Sequence, residues 1–338
     1  MGNISTTKDT LFAPLTVATA PEASRPMLEK IQKSLGFIPN QSTQSPVIEP
    51  IPQTTSKGAG LGEIVVFTDG RKEATRILEF AGLLAEENRA RLISVFLQPA
   101  PTLTTAQEFA LGKGIREVME VHENEIGRIE AHQRAVFEDI VHRHGIQSGS
   151  EWRSLSHWSS EVAVHAYYAD LVVAARPERP GSMPDPPGLA QSLVLSSGRP
   201  VVLFPPNGTA SRVRRVLVAW NATREAMRAV ADALPLLGCA AAVEVLIVDH
   251  QRQRERHGQE PGADIARHLA RHGAQVEVRR LSSEGKDVGH LLLSQAAAFR
   301  ADLLVMGAYG HSTVREWMFG GVTRTVLYEA GLPVLMSR

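Results

Sequence analysis

The chain has 338 residues, a length that predicts two or three domains at the usual domain size. Lys plus Arg and Asp plus Glu each number 36, and aromatic residues make up 5%. This balance excludes a general polyanion-binding surface and disfavours a base-stacking platform, so no nucleic-acid partner is expected. Cys239 is the single cysteine, which excludes an internal disulfide or a CxxC pair.

The first 60 residues differ in composition from the rest. Residues 41–60 are rich in Ser, Thr, Pro, Gln and Gly, which predicts an extended linker. Before it, apolar residues at helical spacing predict one short helix over 21–35. We therefore expect residues 1–60 to form a mostly irregular tail. Neither a secretory signal nor a long apolar run is present in the sequence, which predicts a cytoplasmic protein with no membrane partner.

Strand and helix patterns alternate after residue 60. The first half predicts strands at 63–67, 91–97, 151–155, 170–174 and 200–204, and helices at 73–87, 105–144 (broken near Gly127), 159–168 and 188–195. The second half predicts strands at 215–219, 243–248, 275–280, 302–306 and 333–336, and helices at 224–236, 262–272, 286–299 and 314–329. The same order of elements thus occurs twice.

Two segments of the first half recur in the second. Residues 169–173 align with 301–305 at an offset of 132, and residues 198–202 align with 331–335 at an offset of 133. Two copies of one domain are therefore predicted, at 61–206 and 211–338, with ~20 extra residues in the first copy within 101–150. Alternating strands and helices predict the α/β class, with two tandem doubly wound parallel five-stranded sheets whose ligands bind beyond the carboxyl ends of the strands.

Glycines follow the fourth strand of the second half in the pattern G-x2-G-x9-G-G, formed by Gly307, Gly310, Gly320 and Gly321. Glycine lets the backbone turn sharply and approach a ligand, and free N–H groups at a helix N-terminus attract anions. A phosphate-bearing ligand is one interpretation, and a tight turn without a ligand is an equal alternative on spacing alone. No G-K-[ST] follows, so this is not a Walker A loop.

With the segment ADLLVMGAYGHS and the closing strand, this signature resembles the universal stress protein family over 213–337. The resemblance implies a Rossmann-like, adenine nucleotide alpha hydrolase-like fold and a non-enzymatic role in stress response or signalling. It also implies binding of ATP, with Mg, in the C-terminal domain. The implied nucleotide-binding residues are Asn221, Ile247, Gly307, Gly310, Gly320, Gly321, Val322 and Thr323.

Two positions depart from the family pattern. Gly321 stands where the family has Ser or Thr, and we expect Thr323 to replace that hydroxyl in part. Asn221 stands where ATP-binding members have Asp, which removes a charge useful for a metal. A nucleotide-independent interaction module of the same fold therefore remains an alternative, as does a weak ATPase.

The first half resembles a divergent copy of the same domain. Asp69 keeps the acidic residue after the first strand, but residues 174–181 read AARPERPG and lack the glycine signature. Pro177 and Pro180 also remove N–H donors, so we expect this half not to bind nucleotide in the usual way. The closing strands at 200–204 and 333–336 are expected to pair as an internal pseudo-dimer, and a homodimer is a further expected state.

The remaining candidates have weaker signals. Residues 18–40 resemble the opening helix of the alkylhydroperoxidase-D and carboxymuconolactone-decarboxylase family, but the absence of CxxC implies no peroxidase. His268 and His272 share a helix face without the Glu of a zinc motif, so a solvated face is expected rather than a metal site. We expect the same for His132, His142 and His144 in the 101–150 insertion. Cys239 is interpreted as a small buried hydrophobe.

Overall fold

The computed structural model describes residues 60–99, 113–155, 160–177, 188–253, 260–308 and 321–338. The predicted tail helix, the alkylhydroperoxidase-like segment, Gly310 and Gly320 all lie outside these ranges. The strands of the N-terminal half are β1 (Glu63–Thr68), β2 (Arg91–Leu97), β3 (Glu151–Leu155), β4 (Leu171–Ala175) and β5 (Val201–Phe204). Its helices are α1 (Ala74–Asn88), α2 (Lys113–Arg143) and α3 (Leu189–Ser196), with a 3₁₀ helix at Ser160–Ala166.

The strands of the C-terminal half are β6 (Arg215–Ala219), β7 (Ala242–Val248), β8 (Val276–Leu281), β9 (Leu303–Gly307) and β10 (Val334–Ser337). Its helices are α4 (Arg224–Cys239), α5 (Ala263–Arg271), α6 (Val288–Phe299) and α7 (Gly321–Glu329), with a 3₁₀ helix at His250–Gln253. In the described residues, most element boundaries lie within two residues of the prediction.

Three predicted helices differ from the structure. α2 runs through Gly127 without a break, because a single glycine lowers helix propensity only modestly. Residues 160–166 form a 3₁₀ helix, and i→i−3 bonds such as Tyr167 N–H to the Val164 carbonyl follow it. α4 continues past Pro235 and ends three residues later than predicted, at Cys239.

The described strands form one sheet in the order β3-β2-β1-β4-β5-β10-β9-β6-β7-β8. Neighbours are parallel except β5 and β10, which pair antiparallel with Leu335 opposite Val202. The α/β class is confirmed. In both halves the strands lie in the order third, second, first, fourth and fifth, counted along the sequence of that half, and the third strand is at the outer edge of the sheet. The two five-stranded sheets are, however, parts of one continuous sheet, joined by the predicted closing strands.

Apolar layers cover both faces of the sheet. One face packs against α1, α2, α4 and α5, and the other against α3, α6, α7 and the first 3₁₀ helix. The strands are rich in Val, Leu and Ile because side chains on both faces are buried. The polar caps fix two helix starts: Thr223 accepts from Ala226 N–H at 3.3 Å, and Asp287 accepts from His290 N–H at 2.9 Å.

Helix α2 accounts for the surplus length of the first half. It packs on α1 at Gly82, where an added Cβ would lie 2.5 Å from Cγ2 of Ile140. Trp152 of β3 stacks on Phe96 and contacts Phe137 of α2, with ring centroids 5.9 and 5.7 Å away. The insertion is thus part of the core. Among the helices that the structure describes, none has the length and apolar character needed to span a membrane.

Candidate functional site

The candidate site lies at the carboxyl edge of the C-terminal half. Because β6 to β10 are mutually parallel, the loops after β6, β7, β8 and β9 emerge at this edge. α4 and α6 begin there as well. The amino ends of helices carry partial positive charge and unpaired N–H groups, so this edge favours anions.

Gly307 ends β9 against the first turn of α4. A Cβ at this position would lie 2.5 Å from both the backbone nitrogen of Ala226 and the carbonyl carbon of Glu225. The φ of Gly307 is not in the left-handed region, so the requirement is for space and not for an unusual backbone angle. The first signature glycine therefore lets the α4 backbone approach the end of β9.

Asn221 and Thr223 form the turn between β6 and α4. The Asn221 side-chain oxygen accepts hydrogen bonds from the Thr223 hydroxyl at 2.8 Å and from its N–H at 3.3 Å. Ala222 between them has a left-handed φ of 54°. Asn221 is exposed and lies at the predicted edge, where its side chain supports the turn that starts α4.

The other predicted contacts divide by exposure. Gly321 is the first described residue of α7 and is exposed, and Val322 is half-buried beside it. Thr323 is buried, so its side chain lies on the packed side of α7 and not beside Gly321. Ile247 is fully buried, and an added Cβ at Gly262 would lie 2.8 Å from its Cδ1. The structure thus brings Asn221, Gly307, Gly321 and Val322 to one edge and places the side chains of Ile247 and Thr323 in the interior.

Asp287 is a site residue that the sequence analysis missed. Its Oδ1 accepts from His290 N–H and lies 3.0 Å from Nδ1 of the same residue. A Cβ added at Gly321 would lie 3.9 Å from Asp287 Oδ2, which places this carboxylate beside the first described residue of α7. An Asp directly before an apolar helical run is a sequence signal for an N-cap, and that signal was available.

A comparison with protein families addresses the same half of the molecule. Residues 212–338 match the model of the Universal stress protein family. We call this segment the universal stress protein domain, after the family model that it matches. The match begins just before β6 and ends at the last residue, so this domain contains every predicted site residue.

Solved structures show the fold over both halves. A universal stress protein from Archaeoglobus fulgidus is 16% identical with a TM-score of 0.57, covering 82% of this chain and 98% of its own. A functionally unknown protein from Pseudomonas aeruginosa is 14% identical with a TM-score of 0.51, covering 82% and 92%. At these identities the likeness concerns the fold alone. A search of curated proteins finds no match.

The corresponding edge of the N-terminal half is covered by α2. Asp69 follows β1 as predicted, but Arg71 pairs with its carboxylate at 2.8 Å. The Gln133 side chain of α2 donates to the Asp69 carbonyl, and Ile129 lies 3.8 Å from the Cβ position of Gly70. In the N-terminal half, the Asp69 carboxylate is therefore paired with a cation, and α2 covers the edge at which Asp69 lies.

His144 differs from the prediction of a solvated histidine. Its side chain is only 10% exposed, and its two ring nitrogens lie 2.7 Å from Glu86 and 3.1 Å from Glu79. The hydrogen bond from Arg143 lowers the pKa of Glu79, and the bond from His144, followed by that from Arg212, lowers the pKa of Glu86. The cluster connects α1, the end of α2 and the segment before β6. Its role in the structure is to join these elements.

Two other predictions have clear outcomes. Cys239 is exposed and not buried, because the buried face of α4 runs through Ala233, Leu236 and Leu237 and leaves its last residue outside that face.

His268 and His272 are exposed with ring centroids 4.7 Å apart, which agrees with the expected solvated face. The part of the chain that the structure describes contains no group of three or more His, Cys, Asp or Glu suited to a metal.

Proposed function

We propose that the universal stress protein domain at 212–338 binds ATP or a related adenine nucleotide, and that the chain acts in stress response or signalling without catalysis. The observation that carries this proposal is the position of Gly321, exposed on α7 at the edge where Gly307 admits the first turn of α4. Backbone N–H groups at that edge suit phosphate oxygens. Gly310 and Gly320 complete the proposed signature, and Val322 follows it.

The proposed nucleotide site is confined to the C-terminal half. The N-terminal edge is already filled by Gln133 and Ile129 of α2, and the Asp69 carboxylate is paired with Arg71. We further propose that the two halves are tandem copies of one domain forming an internal pseudo-dimer. The shared strand order and the β5–β10 pairing support this arrangement.

Titration calorimetry with ATP tests the nucleotide proposal, using the wild-type chain and Gly321→Ser. Serine restores the hydroxyl of the family pattern, and among the described residues an added Cβ at this position meets only Asp287 Oδ2, at 3.9 Å. We expect wild type to bind ATP and Gly321→Ser to bind it several-fold more tightly, because one more hydrogen bond to a charged oxygen contributes roughly 1 kcal/mol. Absence of binding by both proteins would refute the proposal.

A nucleotide-independent interaction module is the second candidate function. The observations that favour it are the absence of a hydroxyl at Gly321 and the local use of Asn221 to support the α4 turn. Under this candidate, neither protein binds ATP while both melt cooperatively, and a specific protein partner is retained in pull-downs by both.

A further inference from the structure

β8 is the outer strand of the sheet in the C-terminal half, and only its inner side bonds to a described strand. At the end of that ladder the Asp249 N–H donates to the Leu281 carbonyl at 3.0 Å, so the odd-numbered residues of β8 bond to β7. Peptide groups alternate in direction along a strand. The N–H and C=O groups of Val276, Val278 and Arg280 therefore point away from the sheet, where a further strand can bond to them.

The side chains of β8 carry opposite charges on one face. Glu277 and Arg279 are exposed and, being two residues apart, lie on the same side of the strand. The Arg279 guanidinium donates to the buried Glu244 carboxylate at 3.1 Å, yet 52% of its side chain stays exposed. Val278 lies on the opposite face and is half-buried against the core. A groove of about 280 Å³ follows this edge and is lined by Glu244, Glu277, Val278, Arg279 and Arg280.

This strand is complementary to a second copy of itself in one antiparallel register. With a twofold axis at Val278, the outward peptide groups of Val278 face those of Val278 in the second copy as a hydrogen-bonded pair. Glu277 then lies opposite Arg279 of the second copy, in the non-hydrogen-bonded position where side chains approach most closely. An axis at Glu277 or at Arg279 would instead place like charges opposite each other. The charge pattern therefore selects the register centred on Val278.

The outer strand of the N-terminal half, β3, is less suited to such pairing. Glu151 and Arg153 bond to each other within the strand, with two distances of 2.9 Å, and Arg91 contacts Glu151 at 3.1 Å. Four of its five residues are half-buried. The charges of β3 are thus paired inside the chain, whereas among the described residues no ion pair reaches the exposed Glu277 carboxylate.

We propose that β8 is a homodimerisation edge, at which two copies of the chain pair antiparallel about Val278 and exchange two ion pairs between Glu277 and Arg279. A closed twofold dimer requires one self-complementary patch, and this strand provides it. The pairing also covers an edge that would otherwise be open to indiscriminate strand addition. The inference concerns a surface that is separate from the proposed nucleotide site, so it stands or falls independently of ATP binding.

Sedimentation equilibrium of the full chain at low salt, over a range of protein concentrations, tests this proposal with charge exchange. We expect wild type to dimerise. Glu277→Arg places Arg opposite Arg twice, and Arg279→Glu places Glu opposite Glu twice, so each variant should raise the dimer Kd about tenfold or more. An equimolar mixture of the two restores opposite charges in both pairs and should form heterodimers with nearly wild-type affinity. Melting temperatures check folding, because Arg279 also bonds to Glu244.

Val278→Pro tests the backbone pairing without a change of charge. It removes an N–H that points away from β7, which an edge strand tolerates, and it should raise the dimer Kd at least as much. Glu125→Arg is the matched control, since it makes the same charge change at an exposed position of α2 and should dimerise as wild type does. A wild-type chain that stays monomeric, a dimer that Glu277→Arg and Val278→Pro leave unchanged, or a mixture of the folded charge variants that stays monomeric would each overturn the proposal.

Discussion

Replacing Gly307 by alanine tests the close contact between β9 and α4. The added Cβ would lie 2.5 Å from backbone atoms of Glu225 and Ala226, and 2.7 Å from Glu225 Cβ. Backbone atoms cannot rotate away as a flexible side chain can, so α4 must move by about 0.9 Å to restore an ordinary contact. We expect a loss of ~2–4 kcal/mol in the free energy of unfolding, which corresponds to a decrease of roughly 5–15 °C in Tm.

Urea denaturation followed by circular dichroism measures this loss, with Gly331→Ala as the control. Gly331 lies in the same half, and a Cβ there would meet no atom of the described residues within 4 Å. Its φ is not left-handed, so the control should equal wild type or exceed it slightly. If Gly307→Ala lies within about 0.5 kcal/mol of the control, the packing explanation for this glycine is wrong.

Two further predictions concern α2 and its contacts. Gly127→Ala should stabilise the protein by ~0.5–1 kcal/mol in thermal melts, because the position is inside a helix with open space around it, and a loss of stability would contradict the continuous helix. The pKa values of Glu79 and Glu86 are lowered in the folded state, so their contribution to stability is present above the unfolded pKa of about 4.3 and is lost as the pH falls through the lowered values. In urea melts over that acidic range, the double variant Glu79→Gln/Glu86→Gln should therefore lose less stability on acidification than wild type does. The control Glu138→Gln removes an exposed ion pair with Arg134, and its stability should depend on pH as that of wild type does.

The sheet was predictable from the sequence because its strands are short, apolar and regularly spaced between amphipathic helices. The repeat of residues 169–173 at 301–305 also predicted that both halves have the same order of elements. The break at Gly127 was wrong because glycine lowers helix propensity only modestly, whereas tertiary packing of α2 on α1 holds the helix together. Burial of one face of α4 likewise extends that helix past Pro235.

The site was predictable only in part. The spacing of Gly307 and Gly321 predicted that both lie at one edge of the sheet, but sequence could not show that Gly307 is required by the backbone of α4. The burial of Thr323 and Ile247 depends on which helix face and which sheet face meet the core, and a motif does not specify that. His144 was misjudged because its two carboxylate partners, Glu79 and Glu86, are distant in sequence and belong to another helix.

The antiparallel junction of β5 and β10 has a consequence for how the molecule can evolve and assemble. Both partners of this junction belong to one polypeptide, so its formation is intramolecular and does not depend on protein concentration. Two identical separate chains would have to change both sides of such a junction together. A single chain can instead acquire a long helix on one side and a ligand-binding edge on the other. The antiparallel junction also directs those two carboxyl edges to opposite rims of the sheet, so the helix that covers one rim leaves the other open.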